Sequence, residues 1–244
     1  MSPDAGPAAG TSPPAPGRPV VCVVGAGPGL GLAAARAFAR DGYDVALVGR
    51  SADTLERLAG EVEQAAPVDV GWAPVDVADP DALTAALQRF VAHTGRLDVL
   101  HHNVSVYRSG GVEDVTAEQL LADVAVGTAS LLSAVRAVLP ALADARGSVL
   151  VTGSGAADRP DAGALTLGVQ KAGVRALLQA LAPGLRERGV HAATLTVHGV
   201  LREGTAFDPA RVAERLVGLA ARRHDDPATW QPVHDLRAAG EDAA

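Results

Sequence analysis

The sequence has little cysteine and few aromatic residues. Cys22 is the only cysteine among 244 residues, which excludes both a disulfide framework and a zinc site built on cysteines. Aromatic residues make up 3% of the chain, whereas the wider hydrophobic class makes up 48%. We therefore expect a sizeable core filled by Ala, Val and Leu rather than by large rings. A single cysteine inside an apolar run also fits a reducing compartment, so a cytoplasmic location is expected.

The chain also has no excess of positive charge and no long apolar run. Its formal net charge is −7, which argues against nucleic acid or an anionic membrane surface as the main partner. No stretch of about 18 uninterrupted apolar residues occurs, so no membrane span is expected. Residues 1–18 are rich in Pro, Ala and Gly without the apolar segment of a secretion signal, and we predict a disordered tail. The seven histidines show no metal-ligand spacing with carboxylates, so no metal site is expected.

The most informative segment is the glycine-rich run 25–31, which reads Gly-Ala-Gly-Pro-Gly-Leu-Gly. It stands between the apolar segment 20–24 and the Ala-rich segment 32–40, an order that predicts strand, turn and helix. Glycines ahead of a helix N-terminus leave backbone N–H groups accessible, and the helix end carries a partial positive charge. The pyrophosphate of a dinucleotide needs both, so the run predicts a dinucleotide site. A purely structural glycine turn is the alternative.

Strand and helix patterns alternate along the rest of the chain. Further strands are predicted at 45–48, 68–75, 97–101, 148–152 and 190–197, and helices at 52–62, 80–90, 116–142, 164–188 and 209–221. Three of these helices have a start signal: Ser51, Asp79 before Pro80, and Thr116 with Gln119. The alternation predicts an α/β fold over residues 19–222, a single-domain, Rossmann-like, doubly wound parallel sheet of about six or seven strands with helices on both faces.

The periodicity is lost after Arg222. We therefore predict a loosely ordered tail over residues 223–244, in which Trp230 and Val233 are the residues that dock. A seventh strand is not evident in this segment.

The end of the predicted second strand bears on the choice of cofactor. An acidic residue at this corner usually holds the ribose 2′-hydroxyl of NAD. Here the corner is Val48-Gly49-Arg50, and an arginine suits a 2′-phosphate instead. Arg50 thus favours NADP(H), and the alternative is a solvated residue before a helix.

Several motifs together resemble the short-chain dehydrogenase/reductase family. The glycines follow its Gly-x-x-x-Gly-x-Gly pattern, Asp76-Val77 follows the third strand, and Lys171 lies in the long helix. Residues 102–105 read His-Asn-Val-Ser where the family has Asn-Asn-Ala-Gly, so only Asn103 matches. The resemblance covers about residues 19–222 and implies an oxidoreductase that binds a nicotinamide cofactor.

The resemblance also assigns residues to the cofactor. It implies that Asp76 contacts the adenine, although a turn residue at a strand end is the alternative, and that Lys171 binds the ribose hydroxyls. His198-Gly199 stands where the family has a Pro-Gly turn beside the nicotinamide, and Thr205 is expected to contact the carboxamide. The candidate cofactor-binding residues are Gly25, Gly27, Pro28, Gly29, Leu30, Gly31, Arg50, Asp76, Val77, Asn103, Lys171, Gly199 and Thr205.

Two of the family's four catalytic positions differ in this chain. The family's Tyr-x-x-x-Lys pair, which shares one helix face, is Leu167 and Lys171 here. Ser154, thirteen residues before Leu167, matches the serine that holds the substrate oxygen, whereas Gly127 stands in place of the asparagine. The cofactor half of the site therefore looks complete and the proton-transfer half does not.

Reduction of a ketone needs a proton, and a positioned acid contributes roughly 10² to 10⁴-fold in rate. Leucine cannot donate one. Tyr107, His102 and His198 are candidate acids near the expected site, and each has the alternative of an ordinary packed or solvated side chain. Lys171 itself is a further candidate if burial lowers its pKa.

Three functions follow from this pattern. The first is an atypical NADP(H)-dependent oxidoreductase acting on a small carbonyl or hydroxyl substrate, with Ser154 holding that substrate. The second is a non-redox enzyme on the same fold, such as a cyclase, isomerase or lyase of secondary metabolism, and the third is a catalytically silent NADP(H)-binding protein. The resemblance further implies a homodimer or homotetramer assembled through the helices at 117–142 and 164–188.

Overall fold

The computed structural model describes residues 17–238, and within them strands and helices alternate along the chain. The strands are β1 Val20–Val24, β2 Asp44–Gly49, β3 Val70–Pro74, β4 Val99–His102, β5 Ser148–Ser154, β6 His191–Val197 and β7 Val233–Leu236. The helices are α1 Leu30–Arg40, α2 Ala52–Glu63, α3 Pro80–Thr94, α4 Ala117–Val124, α5 Ser130–Asp144, α6 Leu165–Arg186 and α7 Pro209–Ala221. Residues 1–16 of the predicted N-terminal tail, and residues 239–244, lie outside the described residues.

The seven strands of the described chain form one parallel sheet in the order β3-β2-β1-β4-β5-β6-β7. This confirms the predicted doubly wound fold. The strand order changes direction between β1 and β4, and in open α/β sheets the ligand crevice lies at the carboxyl ends of the strands beside such a point.

Both faces of the sheet are covered, each by a separate apolar layer. Leu87 of α3, Val138 of α5 and Leu178 of α6 belong to the core on one face. Phe38 of α1 and Leu216 of α7 belong to the core on the other. Most residues in both layers are Ala, Val and Leu, as the scarcity of aromatics predicts.

The predicted helix starts are confirmed, but the predicted helix over 116–142 is not continuous. Thr116 and Gln119 form the capping box in both directions. The chain then passes through a π-helical turn, Ala125–Ala129, before continuing as α5. Gly127 lies in the middle of this turn, and glycine weakens the preference for regular α geometry there.

The predicted loose tail from residue 223 is wrong for residues 223–236. Trp230 is buried, its Nε1–H donates to the Arg222 carbonyl at 2.9 Å, and its ring meets that of His191 edge-on. This anchor lets β7 pair with β6. The sequence missed β7 because a four-residue edge strand containing His234 and Asp235 has too short a pattern to be recognised.

The helical stretch Ala117–Asp144 is long and apolar enough to cross a membrane by length and composition alone. A core helix of a soluble protein passes the same test, so this is weak ground for a span. Leu131, Val135 and Val138 on one side of α5 are packed into the core, while Leu121 and Leu132 are exposed. The stretch is thus an apolar helix with one core face and one outer face.

Candidate active site

The start of the glycine loop is fixed against the sheet. Gly25 has a φ of +88°, and a Cβ atom built on it would lie 2.5 Å from the Asn103 carbonyl oxygen. The N–H groups of Gly25 and Ala26 both donate to the Val48 carbonyl, at 2.9 and 2.8 Å. Position 25 therefore requires glycine for two reasons, its left-handed backbone and its close approach to the end of β4.

The next glycines face open space. A Cβ atom on Gly27 or Gly29 would meet nothing within 4 Å, whereas one on Gly31 would lie 3.1 Å from the Ala26 Cα. Pro28 is exposed beside them, and Leu30, the first residue of α1, is buried. The loop thus combines tight packing behind α1 with unobstructed backbone in front of its N-terminus, as bound pyrophosphate requires.

The corner after β2 lies against this loop. A Cβ atom on Gly49 would lie 2.9 Å from the Ala26 carbonyl oxygen, and the exposed Arg50 follows directly. After β3, the exposed Asp76 accepts the Ala78 N–H at 3.0 Å, and Val77 is buried. The hydrogen bond of Asp76 is the one expected of a turn residue, so the turn alternative for Asp76 has a structural basis.

Asn103 and Lys171 tie the strand ends together. The Asn103 Nδ2 donates to the Gly25 carbonyl at 3.1 Å, which joins β4 to the glycine loop. The Lys171 Nζ donates to the carbonyl oxygens of Thr152 at 3.0 Å and Val104 at 3.4 Å. Lys171 is buried, and this burial lowers its pKa to about 8.

Leu167 and Ser154 lie near this lysine. Leu167 is partly buried one turn before Lys171 on α6. Ser154 is the last residue of β5, two positions beyond the Thr152 carbonyl that Lys171 contacts, and its Oγ accepts the Ala156 N–H at 3.2 Å. The carboxyl end of β5 thus carries the Ser154 hydroxyl, and the buried amine of Lys171 on α6 contacts the same strand.

His102 does not reach the open edge of the sheet. It is buried, its Nε2 is hydrogen-bonded to the Ser130 Oγ of α5 at 2.8 Å, and burial, followed by the charge of Lys171, lowers its pKa to about 3. The preceding His101, which the sequence did not single out, is bonded to the Thr152 Oγ1 at 2.9 Å, and the same two causes lower its pKa to about 3. Both imidazoles are therefore neutral at physiological pH.

His198 and Tyr107 have very different surroundings. The His198 Nε2 is bonded to the Asp235 Oδ1 of β7 at 2.9 Å, and a Cβ atom on Gly155 would lie 2.9 Å from its Nδ1. His198 thus packs beside the residue that follows Ser154. Tyr107 is 71% exposed in the loop after β4, so it is not a packed residue, and its exposure fits the alternative of a solvated side chain.

The loop after β6 has a defined internal structure. A Cβ atom on Gly199 would overlap the ring of Phe207, which packs on the core. The Thr205 Oγ1 donates to the Arg202 carbonyl at 2.7 Å and accepts the Phe207 N–H at 3.1 Å. Gly199 and Thr205 therefore shape this loop, whatever else they contact.

Sequence reasoning missed a set of polar side chains behind the β4–α4 loop: Arg108, Asp123, Thr166 and Gln170. Asp123 is buried, and the hydrogen bonds from Arg108 hold its pKa below the usual range. Thr166 and Gln170 are one helical turn apart, but the bonds that join Arg108, Asp123 and the loop to this helix span 15 to 64 positions, so no sequence signal links the set.

Two further observations delimit the site. Over residues 17–238, no group of three or more His, Cys, Asp or Glu side chains is arranged to hold a metal ion. A cavity of about 800 Å³ lies between α7 and β7, lined by Arg215, Arg222 and His234 among others, and it contains none of the predicted site residues. We therefore place the site at the strand ends, where the glycine loop, Lys171 and Ser154 meet, and not in that cavity.

Fold and site together define a nucleotide-binding α/β protein with the switch point between β1 and β4. The family model for short chain dehydrogenases matches residues 19–206. The chain belongs to the short chain dehydrogenase family, whose members are oxidoreductases that bind nicotinamide cofactors.

Individual relatives are distant. A 2,5-dichloro-2,5-cyclohexadiene-1,4-diol dehydrogenase of Sphingobium indicum is 27% identical over 80% of this chain and 78% of its own. Among solved structures, an alcohol dehydrogenase from Thermococcus sibiricus complexed with 5-hydroxy-NADP is 26% identical, with a TM-score of 0.77 over 90% of this chain and 97% of that one. A metagenomic short-chain oxidoreductase in complex with NADP is also 26% identical, with a TM-score of 0.78 over 90% and 96%.

Proposed function

We propose that this chain is an NADP(H)-dependent oxidoreductase that acts on a small carbonyl or hydroxyl compound without the family's tyrosine. The observation that carries the proposal is Lys171. Its ammonium group is buried against the main-chain carbonyl oxygens of Thr152 and Val104, an arrangement that costs free energy without a carboxylate partner. A cation held in this way at the strand ends is explained by a ligand whose hydroxyl groups it contacts.

The residues present fit the cofactor. Gly27 and Gly29 leave the approach to the α1 N-terminus open for the pyrophosphate, and Arg50 at the end of β2 suits a 2′-phosphate. The two relatives solved with NADP or a derivative of it support the same choice. When bound, the nicotinamide supplies or accepts a hydride.

The remaining chemistry belongs to the chain's own side chains. The Ser154 hydroxyl donates a hydrogen bond to the substrate oxygen. Leu167 has no proton to give, so the proton is held on the Lys171 Nζ, because a pKa near 8 keeps this amine charged at neutral pH yet makes it a far better acid than an exposed lysine. Tyr107 is the alternative donor, and His102 is not used because burial keeps it neutral against Ser130.

Cofactor selection is tested with Arg50→Glu. We expect the wild type to bind NADPH at least about tenfold more tightly than NADH, and the variant to lose that preference, since about 1.4 kcal/mol corresponds to tenfold. Arg89→Glu makes the same charge change on an exposed position of α3 and is the matched control. Equal affinities of the wild type for the two cofactors, measured by fluorescence titration, would contradict the NADP assignment.

Turnover is tested by NADPH consumption with a panel of carbonyl compounds. We expect slow turnover by the wild type and none by Lys171→Met. A holoprotein without turnover on every compound, together with a gain of activity in Leu167→Tyr, would overturn the proposed reaction.

Leu167 is the observation that favours a second candidate, since an aliphatic side chain removes the family's proton donor. A non-redox cyclase, isomerase or lyase would form product with unchanged cofactor absorbance. If the chain is a silent NADP(H)-binding protein, Lys171→Ala would weaken cofactor binding without altering the rate of any reaction.

We also propose a cytoplasmic homodimer or homotetramer that does not use nucleic acid or a membrane. The support is an apolar outer face on α4, α5 and α6, where Leu121, Leu132 and Val169 are 70%, 38% and 45% exposed. Light scattering of the wild type and of Leu132→Glu tests this, and a monomeric wild type would refute it. Cosedimentation with anionic vesicles would instead point to a membrane surface.

A further inference from the structure

The loop after β4 is held on both sides of Tyr107. On one side, the side-chain amide of Gln170 makes two bonds to the main chain of Val106: its Oε1 accepts the N–H at 2.9 Å and its Nε2 donates to the carbonyl at 3.0 Å. On the other side, the Arg108 guanidinium makes two bonds of 2.8 Å to the buried Asp123. The backbone of Tyr107 is therefore fixed while its side chain is 71% exposed.

These two anchors are joined behind the loop. The Thr166 hydroxyl donates to the Asp123 Oδ2 at 2.8 Å, and the Gln170 Nε2 lies 3.3 Å from the Thr166 carbonyl. The polar chain Arg108, Asp123, Thr166, Gln170 and Val106 is thus closed through the loop itself. Buried amides bonded at both ends rigidify their surroundings, since loss of one partner leaves the other unsatisfied.

Gln170 has its place because position 127 has no side chain. A Cβ atom on Gly127 would overlap the Gln170 Oε1 and lie 2.9 Å from its Cγ and Cδ. The Thr128 hydroxyl also donates to the Gln170 carbonyl at 3.1 Å. The side chain that fills the space over the π-helical turn thus comes from α6 and not from the turn itself, where the family resemblance implies an asparagine.

We propose that Gln170 is a positioning residue that fixes the segment 104–106 and thereby presents Tyr107 to the substrate. The neighbouring Lys171 contacts the Val104 carbonyl, so two consecutive side chains of α6 hold alternate residues of one loop. The loop rises from the end of β4, next to the β5 end that carries Ser154. The inference rests on the proposed function in one respect: a substrate binds at the carboxyl ends of β4 and β5.

The first test is Gln170→Met, which keeps the length of the side chain and removes both bonds to Val106. We expect the Val106 amide of the NADPH-loaded protein to exchange its hydrogen at least about tenfold faster, because a net hydrogen bond is worth roughly 1 kcal/mol and two are lost. Gln179→Met, on an exposed position of the same helix, is the control and should leave this exchange unchanged. Unchanged exchange in Gln170→Met would overturn the proposal.

The second test changes the two sides of the contact between Gly127 and Gln170, first singly and then together. Gly127→Ala alone should lower Tm by several degrees, because its Cβ overlaps Gln170, and Gln170→Ala alone should lower it through the unsatisfied Val106 groups. In Gly127→Ala/Gln170→Ala the overlapping atoms are gone, so we expect this variant to melt above Gly127→Ala. Additive Tm losses would show that positions 127 and 170 do not share this space.

The link to Tyr107 is tested by a double-mutant cycle on substrate KM. Tyr107→Ala should raise KM in the wild type and have less effect in Gln170→Met, with kcat changed less than KM. An equal effect of Tyr107→Ala in both backgrounds would refute the positioning role. If no substrate is turned over, the exchange and Tm measurements still decide whether Gln170 holds the loop, and only the proposed function has failed.

Discussion

The two halves of the candidate site differ in what forms them: the main chain forms one half, and side chains form the other. The cofactor half lies at the ends of β1 and β2. The main chain forms it, because Gly25 and Gly49 bring the glycine loop and Arg50 together by backbone contact. The substrate half lies at the ends of β4 to β6. Side chains form it, namely Lys171, Ser154 and the residues that anchor Tyr107. Backbone sites need particular conformations and tolerate few residues, whereas side-chain sites can change partners. We therefore expect the cofactor half to follow the family pattern more closely than the substrate half.

The strongest way to break this comparison is to compare the glycines of the cofactor half with Gly42, which lies between the end of α1 and the start of β2. We expect Gly25→Ala to destabilise the fold by about 3 kcal/mol, because it combines a left-handed φ with a backbone overlap. Gly42→Ala shares the positive φ but meets nothing within 4 Å, so it should cost only about 1 kcal/mol. Denaturant unfolding measures both.

Gly27→Ala completes that series. Its Cβ meets no protein atom, so the free energy of unfolding should stay within about 1 kcal/mol while NADPH affinity falls about tenfold or more. If Gly25→Ala is as stable as Gly27→Ala, the cofactor half is not governed by backbone fit.

The buried histidines of the substrate half predict sensitivity to acid. The folded pKa values of His101 and His102 are about 3, below the ordinary 6.5, so between these values only the unfolded chain binds the protons. Stability should therefore fall as pH falls from about 6.5 to 3, by up to about 1.4 kcal/mol per pH unit for each histidine. His102→Asn should lessen this slope in denaturant unfolding at a series of pH values. An unchanged slope would mean that His102 is protonated in the folded protein.

The buried Lys171 predicts how stability changes at alkaline pH. Its folded pKa is about 8 against an ordinary 10.5, so from pH 8 upward the unfolded chain holds a proton that the folded chain releases. This proton release raises stability with pH over the window, by up to about 1.4 kcal/mol per unit, and Lys171→Met should remove that contribution. Burial raises the pKa of the Cys22 thiol to about 12, which opposes the rise above pH 9 in both proteins, so the measured quantity is the difference in stability between wild type and Lys171→Met. A difference that is flat from pH 8 to 10 would indicate that the amine is reached by water.

The same division explains which parts could be predicted from the sequence. The glycine loop, the Thr116 capping box and the alternation of strands and helices depend on neighbours within a few residues, so they were recognisable. His102 was a candidate acid at an open strand end, but the alternation of side chains along β4 turns it toward Ser130 of α5. Gln170 meets Val106 across 64 positions, and only the folded chain brings them together. β7 was missed because its stability comes from the anchor at Trp230 and not from its own four residues.

The smallest expected effect concerns the turn after Ser154, where Arg175 makes two bonds to Asp158 at 3.0 and 2.7 Å. This pair holds the pKa of Asp158 below its usual range, but the Asp158 side chain is 41% exposed, so water and salt screen the attraction. We expect Asp158→Asn to cost about 0.5 kcal/mol at low ionic strength and nothing measurable in 1 M salt. Arg57→Ala, which breaks the exposed α2 pair with Glu61, is the matched control. If Asp158→Asn also raises substrate KM while Arg57→Ala does not, the turn after Ser154 belongs to the substrate half, which then depends on side chains even at its exposed rim.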